Sequence, residues 1–204
     1  MRLGIFGGTF DPLHLGHLIL AAEALDQLSL NRILFVLTPN PPHKQGRQIT
    51  PVQHRVDMLQ AVLSGNPAFE ISQVEMDHPA PHYAIDTVCA LRRQFPPAEL
   101  VYLMGADSLV DLPAWHQYQD FVDELDVLGV MRRPGESVDL LDLDTQIPGI
   151  IHKVRFIDAP LLEISSSEIR QRVSERRPFR YYLPMNVYQI IIERQLYQYE
   201  PHTR

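Results

Sequence analysis

The sequence predicts an α/β fold, a parallel and doubly wound sheet with helices on both faces. Two features predict it. Short apolar runs alternate with segments of helical period along nearly the whole chain. The resulting β-α-β-α order favours parallel strands joined by helical crossovers, because each crossover must pack back onto the sheet. In such sheets ligands bind beyond the carboxyl ends of the strands, at the point where strand order reverses.

In chain order, residues 3–6 read as a short buried strand. Residues 17–28 read as a helix with Leu18, Ala21, Ala22, Leu25 and Leu28 on one side. Residues 33–37 are a second apolar strand. Residues 38–49 hold three prolines and a glycine and read as a loop. Thr50 is a candidate N-cap, with Pro51 at N1 and Gln53 at N3, for a helix through Leu63. A strand at 69–74, a helix at 83–95, a strand at 100–104, a helix at 115–122 and a strand at 127–131 follow. The acidic stretch 136–149 reads as a loop. A last strand at 154–157 precedes helices near 166–173 and 184–194. No repeat, low-complexity tract or clear linker interrupts the series. We therefore expect one domain over residues 1–204, with a C-terminal helical part at about 165–197.

Composition narrows the function. With 45% hydrophobic and 21% charged residues, the chain is ordinary for a globular protein with its own core. One cysteine, Cys89, excludes an internal disulfide and fits a reducing, cytoplasmic setting. The nine histidines form no zinc-type cluster. We expect no secretory leader, since no basic region or cleavage site precedes the first strand. No apolar run is long enough to span a membrane. A net charge of -7 argues against general nucleic-acid binding. The charge is uneven. Glu136, Asp139, Asp142 and Asp144 make one stretch acidic, while Arg170, Arg172, Arg176, Arg177 and Arg180 make another basic. Such a basic patch suits either a small anionic ligand or a solvated helix face.

Gly7-Gly8-Thr9-Phe10-Asp11-Pro12-Leu13-His14-Leu15-Gly16-His17 joins the first strand to the first helix. It is neither the dinucleotide pattern G-x-G-x-x-G nor the P-loop. Gly7 and Gly8 let backbone N–H groups approach a ligand closely. His14 and His17, three residues apart at a helix start, can point to one side. Helix N-termini attract anions through free N–H groups and the macrodipole. Together these groups would make a phosphate site; apart, they would be a tight turn with two incidental histidines. Ile164-Ser165-Ser166-Ser167-Glu168-Ile169-Arg170 is the second segment. A capping box from Ser165 to Glu168 explains one serine and the glutamate. Three serines with an arginine in the next turn also offer hydroxyls, amides and a guanidinium to one anion.

The first segment resembles the T-x-F-x-P-x-H-x-G-H signature of the nucleotidyltransferase superfamily, and the second is similar to its I-S-S-T-x-I-R signature, with Ser167 in place of threonine. The resemblance runs from Leu3 to about Tyr197 and leaves only the acidic stretch unmatched. It implies a Rossmann-like fold and an ATP site built from Gly7, Gly8, Thr9, Phe10, Gly105, Asp107, Ile164, Ser165 and Ser166. It implies His14, His17, Lys44 and Arg170 as catalytic groups. Within the superfamily, Asn40-Pro41-Pro42-His43-Lys44, Gly105-Ala106-Asp107-Ser108, Trp115 and Arg132-Arg133-Pro134-Gly135 resemble bacterial nicotinate-mononucleotide adenylyltransferases. By that resemblance Asn40, Tyr83, Ala84, Trp115, His116 and Arg133 would hold the mononucleotide, with Trp115 stacked on its pyridine ring. Ala84 departs from the usual Tyr-Thr pair, so a hydroxyl contact there is lost. The implied partners are ATP with Mg²⁺ and nicotinate mononucleotide; a homo-oligomer stays open. Pantetheine-phosphate adenylyltransferase, a cytidylyltransferase and a non-catalytic nucleotide sensor remain rival readings.

The implied chemistry needs no protein nucleophile. The 5′-phosphate of the acceptor attacks the α-phosphorus of ATP in line, and pyrophosphate leaves. Each close pair of like charges costs about 4 kcal/mol at an effective dielectric of 20. Catalysis should therefore be positioning plus cationic stabilisation.

Overall fold

The computed structural model describes residues 1–40, 49–77, 80–132, 138–160 and 162–198. Among them run six strands: β1 Arg2–Gly8, β2 Arg32–Leu37, β3 Phe69–Ser72, β4 Glu99–Gly105, β5 Val127–Met131 and β6 Val154–Ile157. They form one sheet in the order β3-β2-β1-β4-β5-β6, with every pairing parallel. Leu3 of β1 lies opposite Arg32 on one side and Leu100 on the other. The chain winds outward from β1 to β3, then returns to β4 on the other side of β1. The crevice at this switch point therefore opens between the carboxyl ends of β1 and β4.

Nine α-helices are described: α1 Leu15–Gln27, α2 Val52–Leu63, α3 Ala84–Gln94, α4 Ala106–Val110, α5 Tyr118–Glu124, α6 Leu140–Gln146, α7 Ile150–Lys153, α8 Ser166–Ser174 and α9 Met185–Glu193. The strands are apolar on both faces because both are covered. Leu3, Ile5, Leu34, Val36, Leu100 and Leu128 face the layer formed by α3 to α7. Phe6, Ile33, Phe35, Val101, Leu103 and Val127 face α1 and α2. Alternate side chains of one strand thus serve two cores, as a period of two requires. A third core joins Ile169, Val173, Val187 and Ile191 of α8 and α9 to Met58 of α2. The C-terminal helices are therefore anchored on the layer beside the first crossover.

The expected fold class and strand positions hold, with local corrections. The buried face of α1 is Leu20, Ala21 and Ala24, while Ala22 is exposed. Helix α2 is capped by Pro51, not Thr50, and no side-chain capping bond forms there. The Thr50 N–H is instead committed to Asp11 Oδ2 at 3.2 Å. The helix expected from Trp115 starts at Tyr118; Trp115 ends a 3₁₀ turn, Leu112–Ala114. The described part of the acidic stretch is mostly helix. Asp139 caps α6 by accepting from the Leu141 and Asp142 amides, and Leu143 and Ile147 bury themselves below. No described helix is long and apolar enough to cross a membrane.

Candidate active site

β1 ends at Gly8 and α1 starts at Leu15, so residues 9–14 turn at the rim of the crevice. The two glycines have a packing cause. A Cβ at Gly7 would lie 2.9 Å from the Tyr102 hydroxyl, and one at Gly8 would lie 3.1 Å from the Phe10 ring. Phe10 has φ 45°, in the left-handed region that a bulky residue rarely occupies. That turn sends its ring into the core against Phe6 and His17, leaving 1% exposure. Phe10 can thus offer a nucleotide its backbone only.

His14 caps α1 and stacks on His17, with ring centroids 3.6 Å apart and planes at 27°. The His14 backbone N–H donates to His17 Nδ1 at 3.2 Å. That bond leaves the His17 proton on Nε2. His14 is buried, and burial holds its pKa down to about 4, so the ring is neutral at pH 7. Its Nδ1 has no hydrogen-bond partner among the described residues.

The second segment meets the first directly. Ser165 caps α8 and accepts from the Glu168 N–H at 3.2 Å. Only half of the expected capping box forms, since Glu168 turns its carboxylate to Arg172 at 2.8 Å. Ser166 Oγ donates to the Pro12 carbonyl at 2.9 Å, across 154 residues of chain. Arg170 Nη1 donates to the Asp11 carbonyl at 2.6 Å. The Ile164 carbonyl sits 3.9 Å from where a Cβ of Gly16 would stand. Ser166 and Arg170 thus hold the start of α8 against the turn that leads into α1 and carries His14.

Of the residues expected around the mononucleotide, Tyr83, Ala84, Trp115 and His116 lie on the β4 side. Tyr83 caps α3, Ala84 is its first residue, and the Tyr83 ring stacks on His116 at 4.1 Å. Trp115 is half-buried, edge-on to Tyr102 at 6.3 Å and tilted on Phe121 at 5.4 Å. Tyr102 connects the two halves, with its hydroxyl against Gly7 and its ring against Trp115. Gly105 precedes α4 because a Cβ there would run into Asp107 Oδ1, and Asp107 itself is exposed at the β4 strand end. Asn40 is exposed just beyond β2. Lys44 and Arg133 lie outside the described residues.

Three side chains escaped sequence reasoning. Arg55 is 2% exposed on α2; the Asp11 carboxylate is 4% exposed; Glu75, near Thr87, is 8% exposed. Glu75 Oε1 accepts from Thr87 Oγ1 at 2.6 Å. For Arg55 a signal existed: the charge shares a helix face with Met58 and Leu59, where an apolar residue is expected.

Fold and crevice define the class, an α/β nucleotidyltransferase. The Cytidylyltransferase-like family model matches residues 5–172. A Thermomicrobium roseum relative named "Probable nicotinate-nucleotide adenylyltransferase" is 49% identical, over 97% of this chain and 92% of the relative. The Bacillus subtilis protein named nicotinate-nucleotide adenylyltransferase is 38% identical, over 97% of this chain and 98% of its own. A solved structure of Plasmodium falciparum nicotinic acid mononucleotide adenylyltransferase, complexed with NaAD, has the same fold. Its TM-score is 0.78 at 20% identity, covering 96% of this chain and 97% of that one. The chain belongs to the Cytidylyltransferase-like family and, within it, to the nicotinate-nucleotide adenylyltransferases.

Proposed function

We propose that this chain transfers the adenylyl group of ATP to nicotinate mononucleotide, giving nicotinate adenine dinucleotide and pyrophosphate, and that it does so in the cytoplasm. The observation that carries the reading is the pair of bonds from Ser166 and Arg170 to the Pro12 and Asp11 carbonyls. They join the start of α8 to the turn before α1, and two helix N-termini with two imidazoles and a guanidinium nearby would suit a triphosphate.

One oxygen of the acceptor 5′-phosphate forms a bond to the α-phosphorus of ATP. The bond from that phosphorus to the oxygen bridging it to the β-phosphorus breaks, and pyrophosphate carries the electron pair away. His14 and His17 donate hydrogen bonds to the α-phosphate as charge builds there. Ser165, Ser166 and Arg170 hold the β- and γ-phosphates, and Lys44 meets the acceptor phosphate. Gly7, Gly8, Thr9 and Phe10 contribute backbone, and Gly105, Asp107 and Ile164 border the nucleoside. Trp115 covers the pyridine ring, with Asn40, Tyr83, Ala84, His116 and Arg133 around it. Nucleotidyl transfer generally uses a divalent metal. Such an ion would be held mainly by the phosphates and water, with Asp107, exposed at the end of β4, as a carboxylate within this chain's candidate site. We assign it as Mg²⁺, whose charge would offset that of the phosphates.

The test is pyrophosphate release from ATP with nicotinate mononucleotide, nicotinamide mononucleotide or phosphopantetheine. The greatest kcat/KM is expected with nicotinate mononucleotide. Faster turnover with phosphopantetheine overturns the acceptor, and release with none of the three overturns the reaction.

A further inference from the structure

Arg55 has no obvious reason to be an arginine. It lies inside a core that Met58 and Leu59 fill with apolar side chains. A buried guanidinium is costly unless its donors are satisfied. Nε donates to the Thr50 carbonyl at 2.8 Å. Nη1 donates to the Thr9 and Thr38 carbonyls at 3.0 and 2.9 Å, and Nη2 to the Pro39 carbonyl at 2.9 Å. No carboxylate pairs with it directly among the described residues. These four carbonyls belong to three separate segments: the turn after β1, the segment after β2 and the entry to α2.

Asp11 completes the arrangement from the other side. Its Oδ2 accepts from the Thr50 N–H at 3.2 Å and its Oδ1 from the Tyr197 hydroxyl at 2.8 Å. Tyr197 reaches it from beyond α9, 186 residues away in sequence. Burial and the Asp11 charge push the Tyr197 phenol up, so it remains a donor at neutral pH. Attraction to Asp11 likewise opposes the effect of burial on Arg55. The backbone carbonyl of the same Asp11 takes Arg170. One residue of the turn is therefore held from three directions, immediately beside the strained Phe10.

We propose that Arg55 and Tyr197 are positioning residues for adenylyl transfer. Acting through Thr9 and Asp11, they hold the turn after β1 so that its amides and the His14–His17 pair face the triphosphate. The proposal rests on reading that turn as the ATP site. Tyr197 reaches the turn through Asp11, so its loss should be felt by ATP and not by the acceptor; Arg55 also holds the Thr38 and Pro39 carbonyls beside Asn40, so its loss should be felt by both substrates.

The test uses the full chain with Tyr197→Phe and Arg55→Lys, and His14→Ala as comparator. Tyr197→Phe removes one hydroxyl from a half-buried ring and is the mild variant. Loss of a hydrogen bond to a charged group should lower kcat/KM for ATP about tenfold or more. KM for ATP should rise while KM for nicotinate mononucleotide stays within about twofold, and the melting temperature should fall by only a few degrees. Arg55→Lys should raise both KM values, because its partners Thr38 and Pro39 adjoin Asn40 while Thr9 lies in the turn after β1. A merely structural role would reduce the active fraction, lowering kcat with both KM values fixed, and that result overturns the proposal. So do unchanged kinetics in Tyr197→Phe while His14→Ala is impaired. If His14→Ala is itself unimpaired, the ATP-site reading fails, and the proposal with it.

Discussion

The neutral, buried His14 predicts a measurable pH dependence of stability. In the unfolded chain the ring titrates near 6.5; in the native protein burial holds it to about 4. Between these values the unfolded chain binds more protons, so stability is full above 6.5 and is lost as pH falls toward 4. At pH 5 the linkage amounts to about 2 kcal/mol relative to pH 8, rising to about 3 kcal/mol below pH 4. The perturbation is His14→Gln, which cannot titrate. Urea unfolding at pH 8 and pH 5 gives the assay, because every other titrating group cancels between wild type and variant. Wild type should lose about 2 kcal/mol more than the variant on acidification. A parallel loss in both proteins, or an NMR titration of the His14 ring centred near 6.5, would refute the assignment of a dry imidazole.

Replacing either imidazole with alanine should lower kcat about 10²-fold with nicotinate mononucleotide and ATP saturating, read by pyrophosphate release. Trp115→Ala should raise KM for the mononucleotide at least several-fold with KM for ATP unchanged, because the indole lies on the β4 side. Met58→Ala should cost about 2–5 kcal/mol in urea unfolding, since it empties the contact between α2 and the C-terminal helices. Calorimetry of ATP binding at pH 7, in two buffers of different ionisation enthalpy, should show proton uptake in wild type and none in His14→Gln.

Most of the fold was legible because buried parallel strands are apolar on both faces. β5 and β6 fall where the apolar runs end, at Met131 and Ile157. What misled were local signals overruled by distant partners. Thr50 looks like a cap, yet its N–H goes to Asp11, 39 residues earlier, and its side chain to Tyr197. The acidic stretch looks like a loop because its charges dominate, yet Asp139 starts a helix whose Leu143 is buried. The resemblance implied that the two signature segments meet at one site. The bonds that join them, from Ser166 to Pro12 and Arg170 to Asp11, were not legible, since nothing local announces which carbonyl will accept. Arg55 was missed for the same reason: its partners are backbone carbonyls, which every residue has.

The stacked pair also constrains how the site can carry charge. Two imidazolium rings with centroids 3.6 Å apart would repel by about 5 kcal/mol at an effective dielectric of 20. The stacked pair therefore disfavours double protonation, and burial already keeps His14 neutral. Among the described residues the fixed positive charge beside it comes from Arg170 and the helix starts. ATP alters the balance. One uncompensated phosphate charge about 4 Å from His14 contributes about 4 kcal/mol at the same dielectric. That exceeds the roughly 3 kcal/mol by which burial disfavours the protonated ring. His14 should then titrate at about pH 7 and take up a fraction of a proton as the triphosphate arrives, so that on the proposed reading the substrate draws in part of the charge that faces it.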